Sequence, residues 1–160
     1  MVIRSKRLGS QNISNFTGCG LVMDFDQIAD DASLEWKVSV TDVLIDDFAA
    51  AISDYNPIHM SHDNAVEAGF KTRLFHGAGL VGLISSAVAN KLPGSGSILL
   101  KIDASYLKPA YLGDELVCTL SVDKLYKLNK TIRFSYLICS GDSEKLAQGN
   151  VTVMVPKSKI

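Results

Sequence analysis

A long apolar segment in the middle of the chain limits the folds that are open to it. Between Gly77 and Lys91 nearly every side chain is small or apolar, so a helix there would be covered on most of its surface. Leu92-Pro93-Gly94 ends this segment. Beyond residue 97 the pattern changes to a period of two, which is typical of strands. A strongly curved antiparallel sheet wrapped around one long helix accommodates both patterns, so the α+β class is predicted.

The second half of the chain is expected to supply about four long antiparallel strands, and the first half one strand and the remaining helices. Residues 34–40 alternate strictly, and Thr41 or Asp42 then caps a helix that stops near Asp54. The alternating positions of the later strands are Ile98, Leu100, Ile102, Ala104 and Tyr106, then Leu116, Cys118, Leu120 and Val122, then Ile132, Phe134, Tyr136 and Ile138, and last Val151, Val153 and Val155.

Composition and charge argue against several classes of function. The 160 residues carry a formal net charge of −1, so no basic excess indicates a nucleic-acid partner. The start of the chain has no apolar core for export and no segment is long enough to span a bilayer, so a cytoplasmic protein without membrane association is expected. Cys19, Cys118 and Cys139 are interpreted as free thiols. Residues 1–25 show no clear periodicity and are interpreted as an N-terminal arm, with residues 26–160 as one domain.

The stretch from Ser53 to His59 concentrates an acid, an amide, a proline and an imidazole in one short segment. Pro57 fixes its own φ and disfavours the helical region for Asn56, so the chain is expected to turn here. Asp54 and His59 lie five residues apart across that turn, which suits a pair acting together on one small molecule. The alternative is a helix end followed by a turn whose polar side chains only satisfy the local backbone.

The start of the apolar helix is a second candidate site. If Gly77 is its first residue, the Gly77 amide points outward without an intrahelical partner, and the dipole adds about half a positive charge there. A carbonyl oxygen that gains negative charge would be stabilised at that position, and a helix end solvated by water is the alternative. Residues 77–82 also match G-x-G-x-x-G, but residues 70–76 are too polar for the buried strand that a dinucleotide site requires. Ser85, just over two turns into the helix, either faces a pocket on the same side or bonds back to a preceding carbonyl.

Asp54, His59, His62 and His76 include the ligand types of a metal site, and His59 and His62 are three residues apart. Pro57, however, is expected to make that segment a turn rather than a helix that presents both histidines on one face. No cysteine or further carboxylate joins them at a recognised spacing, so no metal is expected. Nucleophilic catalysis has little support either, because the chain lacks a G-x-S-x-G elbow.

Four motifs, in order along the chain, resemble the MaoC-like, (R)-specific enoyl-CoA hydratase and dehydratase family of the hotdog fold. They are Phe48-Ala49-Ala50 with Ser53-Asp54-Tyr55-Asn56-Pro57-Ile58-His59, then His76-Gly77, then Leu92-Pro93-Gly94 with Gly96-Ser97-Ile98, and last Lys108-Pro109 with Tyr111 and Gly113-Asp114-Glu115. The resemblance covers roughly residues 25–156. It implies a single hotdog domain, whose curved sheet surrounds the long helix, and edge-to-edge pairing of two sheets in a homodimer.

The resemblance also implies which residues form the site. They are the catalytic Asp54 and His59 and the substrate-binding Gly77, Ser85, Asn56 and His76. Gly77 matches the glycine whose amide binds the thioester carbonyl, and Asn56 matches an amide expected to brace the loop. The chain departs from the family pattern before the His-Gly pair, where Thr72-Arg73-Leu74-Phe75 lacks the usual proline, and at Ala78, where a methionine is common. Both departures leave the acyl-chain preference open.

The implied reaction is hydration of trans-2-enoyl thioesters, most simply coenzyme A esters, to (3R)-3-hydroxyacyl thioesters, or the reverse dehydration, in fatty-acid metabolism. It requires a base for water, a proton for Cα and a charge sink at the carbonyl, and neither a metal nor a redox cofactor. One alternative is a dehydratase acting on acyl-carrier-protein substrates, for which Lys71, Arg73, Lys91 and Lys101 would form a basic entrance. Another is a hotdog domain that binds acyl thioesters without turnover.

Overall fold

The structure is a computed structural model that describes residues 2–4 and 23–155. Helices and strands follow the predicted order, with the helices in the first half and most strands in the second. In chain order the elements are β1 (Val2–Arg4), a 3₁₀ helix (Phe25–Gln27), β2 (Ser33–Ser39), α1 (Asp42–Ile52), α2 (Pro57–Met60), α3 (His62–Glu67), α4 (Gly77–Asn90), β3 (Ile98–Ile102), β4 (Ser105–Tyr106), β5 (Glu115–Tyr126), β6 (Thr131–Ser140) and β7 (Lys145–Met154).

One antiparallel sheet forms the largest layer of the fold. In the part of the chain that is described, six of its seven strands follow the order β1-β2-β5-β6-β7-β3, and the seventh, β4, pairs with β7. The register places Trp36 opposite Cys118, and Leu120 opposite Tyr136, so that buried side chains of three neighbouring strands share one face. The period-two pattern of the sequence therefore defines the inner face of the sheet.

The long helix α4 packs against that inner face. Leu80, Ile84 and Val88 are buried and belong to the same core cluster as Phe134 of the central strand β6. The predicted α+β arrangement of an antiparallel sheet around a central helix is therefore confirmed. The helix is less completely buried than the sequence pattern predicts, because one side of it is exposed or half-buried, including Leu83, Ser86 and Ala89.

The edge strand β3 differs from its predicted pattern. Its alternation indicates one buried face, yet Ile98, Leu99 and Leu100 are 47%, 40% and 53% exposed. Among the described strands, β3 pairs only with β7, and the short strand β4, which follows β3 in the chain, pairs with that same strand β7. The other edge of β3 therefore carries unpaired backbone groups. This border of the sheet therefore combines an open backbone edge with exposed apolar side chains.

The segment interpreted as an N-terminal arm contributes a strand to the sheet. Residues 2–4 form β1, which pairs with β2 from Val2 opposite Glu35 to Arg4 opposite Ser33. Residues 5–22, and with them Cys19, lie outside the described residues, so the boundary at residue 25 stays a prediction. No helix in the described part of the chain is both long and apolar enough to cross a membrane.

Candidate active site

Asp54 is displayed at the end of helix α1. Ser53 closes that helix in the left-handed conformation, with a φ of 57°, as a C-terminal cap does. The Asp54 amide donates to the Ala49 carbonyl at 3.1 Å, so the residue is fixed to the helix while its side chain stays 45% exposed. Its Oδ1 accepts the Asn56 N–H at 3.2 Å, which leaves Oδ2 on the side of the histidines.

Asn56 and Pro57 start the single-turn helix α2. Asn56 Oδ1 accepts the Ile58 N–H at 3.4 Å, and Pro57 occupies the first helical turn, where its missing N–H has no consequence. Pro57 therefore begins a short helix where the sequence predicted a turn, but this helix ends at Met60 and His62 belongs to α3, so that no single helix presents both histidines, as predicted. His59 follows in the same turn and its side chain is only 9% exposed. Asn56 braces the loop in this structure, and its contact with a substrate stays a prediction.

The imidazole of His59 is held in one tautomer. Its Nδ1 lies 2.9 Å from the Leu74 carbonyl oxygen, and because a carbonyl only accepts, Nδ1 carries the proton and Nε2 keeps a lone pair. Burial lowers the pKa of His59 from its ordinary 6.5; the Leu74 hydrogen bond and Asp54 oppose that shift, whereas His76 and Arg73 add to it. A neutral ring with an available Nε2 is the favoured state.

His76 stacks on His59 and bonds to the backbone of Asp54. The two ring centroids lie 3.8 Å apart, with their planes inclined by 26°. Nε2 of His76 donates to the Asp54 carbonyl at 3.0 Å and lies 4.0 Å from Asp54 Oδ2. The side chain is 1% exposed, and its Nδ1 has no hydrogen-bond partner among the described residues. The contacts of His76 therefore position Asp54 relative to His59, and its predicted contact with a substrate is untested.

These contacts bring three polar groups to one place. A carboxylate oxygen of Asp54 and one ring nitrogen each of His59 and His76 lie within 4.8 Å of one another. They are also candidate metal ligands, whereas His62, the fourth member of the metal set weighed from the sequence, bonds through Nδ1 to Thr72 Oγ1 at 3.1 Å instead. Because Nε2 of His76 donates a hydrogen bond to the backbone carbonyl of Asp54, and Nδ1 of His59 carries the proton of that ring, the Asp54 carboxylate and His59 Nε2 are left to accept hydrogen bonds, and one water can bridge them.

Gly77 opens α4 next to this group, as predicted. Two later amides of the helix donate to the His76 carbonyl, whereas the Gly77 amide has no intrahelical partner by helix geometry. Gly77 and His59 line the same pocket, which has a volume of about 320 Å³. A Cβ at residue 77 would lie only 3.2 Å from the Tyr106 ring, so glycine allows this ring to cover the helix start. The other residues that line the pocket are Leu74, Phe75, Leu80 and residues 107–110.

The predicted and observed surroundings of the pocket differ at three positions. Ser85 is half-buried further along α4 and is not among the residues that line the pocket. Leu74 was not predicted, because it acts through a backbone carbonyl that every residue type has. Tyr106 belongs to the predicted strand alternation, which indicated a place in the sheet rather than a wall of the pocket.

Comparison with known proteins identifies the family. A model of the MaoC-like domain matches residues 25–136, which is more than half of the chain. The chain belongs to the MaoC-like domain family. This MaoC-like chain is 34% identical to the (R)-specific enoyl-CoA hydratase of Rhodospirillum rubrum, over 78% of its own length and 85% of the relative. It is 32% identical to the 3-hydroxybutyryl-CoA dehydratase of Methylorubrum extorquens, over 79% and 78% of the two chains.

Solved structures agree with the family assignment. The R-hydratase PhaJ1 of Pseudomonas aeruginosa, in its unliganded form, matches the MaoC-like chain with a TM-score of 0.82. The two sequences are 27% identical, and the match covers 87% of this chain and 89% of that one. The predicted family and the predicted hotdog fold, an antiparallel sheet around one long helix, are therefore confirmed.

Proposed function

We propose that this MaoC-like protein is a hydro-lyase that adds water across the double bond of trans-2-enoyl thioesters to give (3R)-3-hydroxyacyl thioesters, or removes it in the reverse direction. Family membership and the hydratase and dehydratase names of its relatives support this reaction class. One observation carries the proposal: a carboxylate oxygen of Asp54 and a ring nitrogen of His59 lie within 4.8 Å of each other, and His59 lines a pocket together with Gly77 at the start of helix α4.

The first part of the reaction uses a water held between Asp54 and His59. Because both groups accept, the water donates one hydrogen to each and directs an oxygen lone pair at Cβ of the substrate. As the O–Cβ bond forms, one of the two groups takes a proton from the water and the π electrons move to the thioester as an enolate. The proton is then delivered to Cα, which returns the site to its starting protonation state.

The second part of the reaction stabilises the enolate oxygen. The Gly77 amide and the positive end of the α4 dipole are suited to that negative charge, because both are fixed before the reaction begins. A donor of this kind contributes about 10²–10³ to the rate, and general acid–base help about 10²–10⁴. Both contributions are required, because water attack and enolate formation are parts of one step.

Hydration of crotonyl-CoA, followed by the loss of enoyl absorbance, tests the proposal. We expect Asp54→Asn and His59→Ala each to lower kcat at least about 10²-fold, since each removes one acceptor of the bridging water. The matched controls are Asp47→Asn and His62→Ala, which change an exposed acid and an exposed histidine of neighbouring helices and are expected to keep wild-type turnover. An active Asp54→Asn/His59→Ala double variant would overturn the proposal, and wild-type protein that binds enoyl-CoA without hydrating it would identify a binding module.

Coenzyme A esters are proposed as the substrates, rather than carrier-bound acyl groups. Arg73 does not contribute to the basic entrance expected for a carrier protein, because its side chain is only 12% exposed and is bound to Asp42 and Asp46. The Nζ atom of Lys71 lies 5.3 Å from the centre of the Tyr111 ring, so this charge already has a cation–π partner within the protein. Higher kcat/KM on crotonyl-CoA than on the same acyl group carried by an acyl carrier protein is the expected result. The cytoplasmic location inferred from the sequence is retained as part of this proposal.

A homodimer formed through the open edge of β3 is part of the same proposal. Leu100 and Leu107 on this border are 53% and 47% exposed, and a second copy would pair the free backbone groups and cover these side chains. Leu100→Glu is therefore expected to shift the protein from dimer to monomer in light scattering after size exclusion. Leu128→Glu is the control, because Leu128 is fully exposed at the turn between β5 and β6, and the dimer should persist. A monomeric wild-type protein would contradict this part.

A further inference from the structure

Arg73 lies in the connector, residues 71–76, between α3 and α4, and its guanidinium is nearly buried. The side chain is 12% exposed. Its Nε donates to the His59 backbone carbonyl at 2.6 Å, and its Nη1 donates to Asp42 Oδ1 at 2.7 Å. Its Nη2 donates to Asp46 Oδ1. One planar group therefore joins the chain at His59 to two carboxylates one turn apart on α1.

The same helix carries the other member of the catalytic pair. Asp54 follows the C-terminal end of α1 and is bonded to it through the Ala49 carbonyl. Asp42 and Asp46, the two acids bound by Arg73, lie in its first half. A displacement of α1 relative to α2 would change the distance between the Asp54 carboxylate and the His59 ring. Arg73 bonds both helices through one side chain.

We propose that Arg73 is a positioning residue for the reaction: by binding the His59 backbone and the α1 carboxylates together, it keeps the catalytic imidazole and Asp54 at the separation that holds one water. This inference rests on the proposed function. Two backbone contacts act in the same direction, because the connector amide of Leu74 donates to the Ile58 carbonyl at 3.1 Å and the Leu74 carbonyl accepts from His59 Nδ1. Arg73 adds hydrogen bonds to the carboxylates of α1, which these two Leu74 contacts do not reach.

The charge of Arg73 gives the residue a second effect on His59. The ionisable groups that face the imidazole are Asp54 after α1, His76 at the start of α4 and Arg73 in the connector. Arg73 and His76 favour the neutral ring and Asp54 favours the protonated ring. Removal of the guanidinium is therefore expected to raise the pKa of His59 and to bring its protonation closer to neutral pH.

Two substitutions separate position from charge. Arg73→Lys keeps the charge but offers a single ammonium in place of a planar fork, so kcat should fall while the titration of His59 stays near that of the wild type. Arg73→Met removes both, so kcat on crotonyl-CoA should fall about 10–10²-fold with KM nearly unchanged, and the acidic limb of the pH profile should move to higher pH. Arg133→Met is the matched control, because Arg133 is an exposed arginine that pairs with Asp123 on the neighbouring strand, and it should change neither quantity.

NMR titration of the His59 ring provides a readout that does not depend on turnover. A folded Arg73→Met protein with wild-type kcat and a wild-type His59 titration would overturn the proposal. If this variant does not fold, the Asp42→Asn/Asp46→Asn protein, which changes only exposed carboxylates, decides: a lowered kcat supports the proposal and a wild-type kcat overturns it. If wild-type protein hydrates no enoyl thioester, the proposed function fails, and a His59 titration that shifts in Arg73→Met but not in Arg133→Met still supports the electrostatic contact.

Discussion

Phe75 and Gly79 are packed so closely that their substitutions are expected to be strongly coupled. A Cβ at residue 79 would lie 2.4 Å from Phe75 Cζ and 2.7 Å from Cε2, both well inside contact distance. The ring cannot move away freely, because Phe75 is 4% exposed and its centroid lies 5.8 Å from that of Phe48 in an edge contact. Gly79→Ala alone therefore overpacks the core.

The magnitudes follow from these contacts. Overpacking costs about 1–3 kcal/mol, and replacing glycine by alanine inside a helix recovers about 0.5–1 kcal/mol, so Gly79→Ala should destabilise the protein by about 1 kcal/mol. Phe75→Ala should cost about 3–5 kcal/mol, because it leaves a cavity in the core. In the Phe75→Ala background the new methyl group meets no ring, so Gly79→Ala should then stabilise the protein by up to about 1 kcal/mol. The sign of its effect is expected to reverse.

Urea unfolding followed by the fluorescence of Trp36, the single tryptophan of the chain, measures all four proteins of this cycle. The protomer concentration is kept constant, since a dimer unfolds at a concentration-dependent midpoint. Gly82→Ala is the control, because its Cβ would lie 3.6 Å from Phe48, an ordinary contact, and it should stabilise both backgrounds equally. Additive effects of Phe75→Ala and Gly79→Ala would refute the packing argument, whereas a coupling of about 1–3 kcal/mol would support it.

Three further predictions concern the pocket, the histidine and the core. Phe75 lines the pocket beside His59, so Phe75→Ala should raise kcat/KM for octenoyl-CoA relative to crotonyl-CoA, and an unchanged ratio would place the acyl tail elsewhere. Because the pKa of His59 is lowered from 6.5 in the folded state, the unfolded chain binds the proton first, so the free energy of unfolding should decrease as the pH falls below that value. His59→Gln should flatten this dependence in urea titrations between about pH 5 and pH 7. Tyr136 donates to the Asp103 carbonyl at 2.7 Å and is 4% exposed, so Tyr136→Phe should lower the unfolding free energy by about 1–2 kcal/mol, and no change would show that the buried carbonyl finds another donor.

Local sequence patterns predicted the parts of the fold whose causes are local. The cap at Thr41 and the start of α4 at Gly77 are determined by residues within one turn of each position, and both are confirmed. The strand alternation of β5 and β6 is likewise a property of neighbouring residues, and it defines the buried face of the sheet. The alternation of β3 predicted its existence but not its exposure, because the position of a strand within a sheet depends on pairing between distant segments.

The contacts that hold the site together join residues far apart in the sequence, and no periodicity indicates them. His76 stacks on His59 across 17 positions, and Arg73 reaches Asp42 across 31. The sequence offers Arg73 as one of four basic residues at the entrance for a carrier protein, and only the fold shows that its charge faces inward. Residue type indicated the candidate groups for the chemistry, whereas the contacts of the connector with these groups required the structure.

The different surroundings of the two proposed catalytic residues determine where a water can bind. His59 is buried and its Nδ1 is bonded to a backbone carbonyl, so only Nε2 can accept a hydrogen bond from a water. Asp54 is half-exposed and fixed through its own backbone by His76, so its carboxylate can approach that water from the solvent side. A water that donates one hydrogen to each group keeps its two lone pairs on the side that faces away from them. This water would attack one face of a substrate whose carbonyl is held at Gly77. Attack on a single face is what formation of a single enantiomer, such as a (3R)-3-hydroxyacyl thioester, requires.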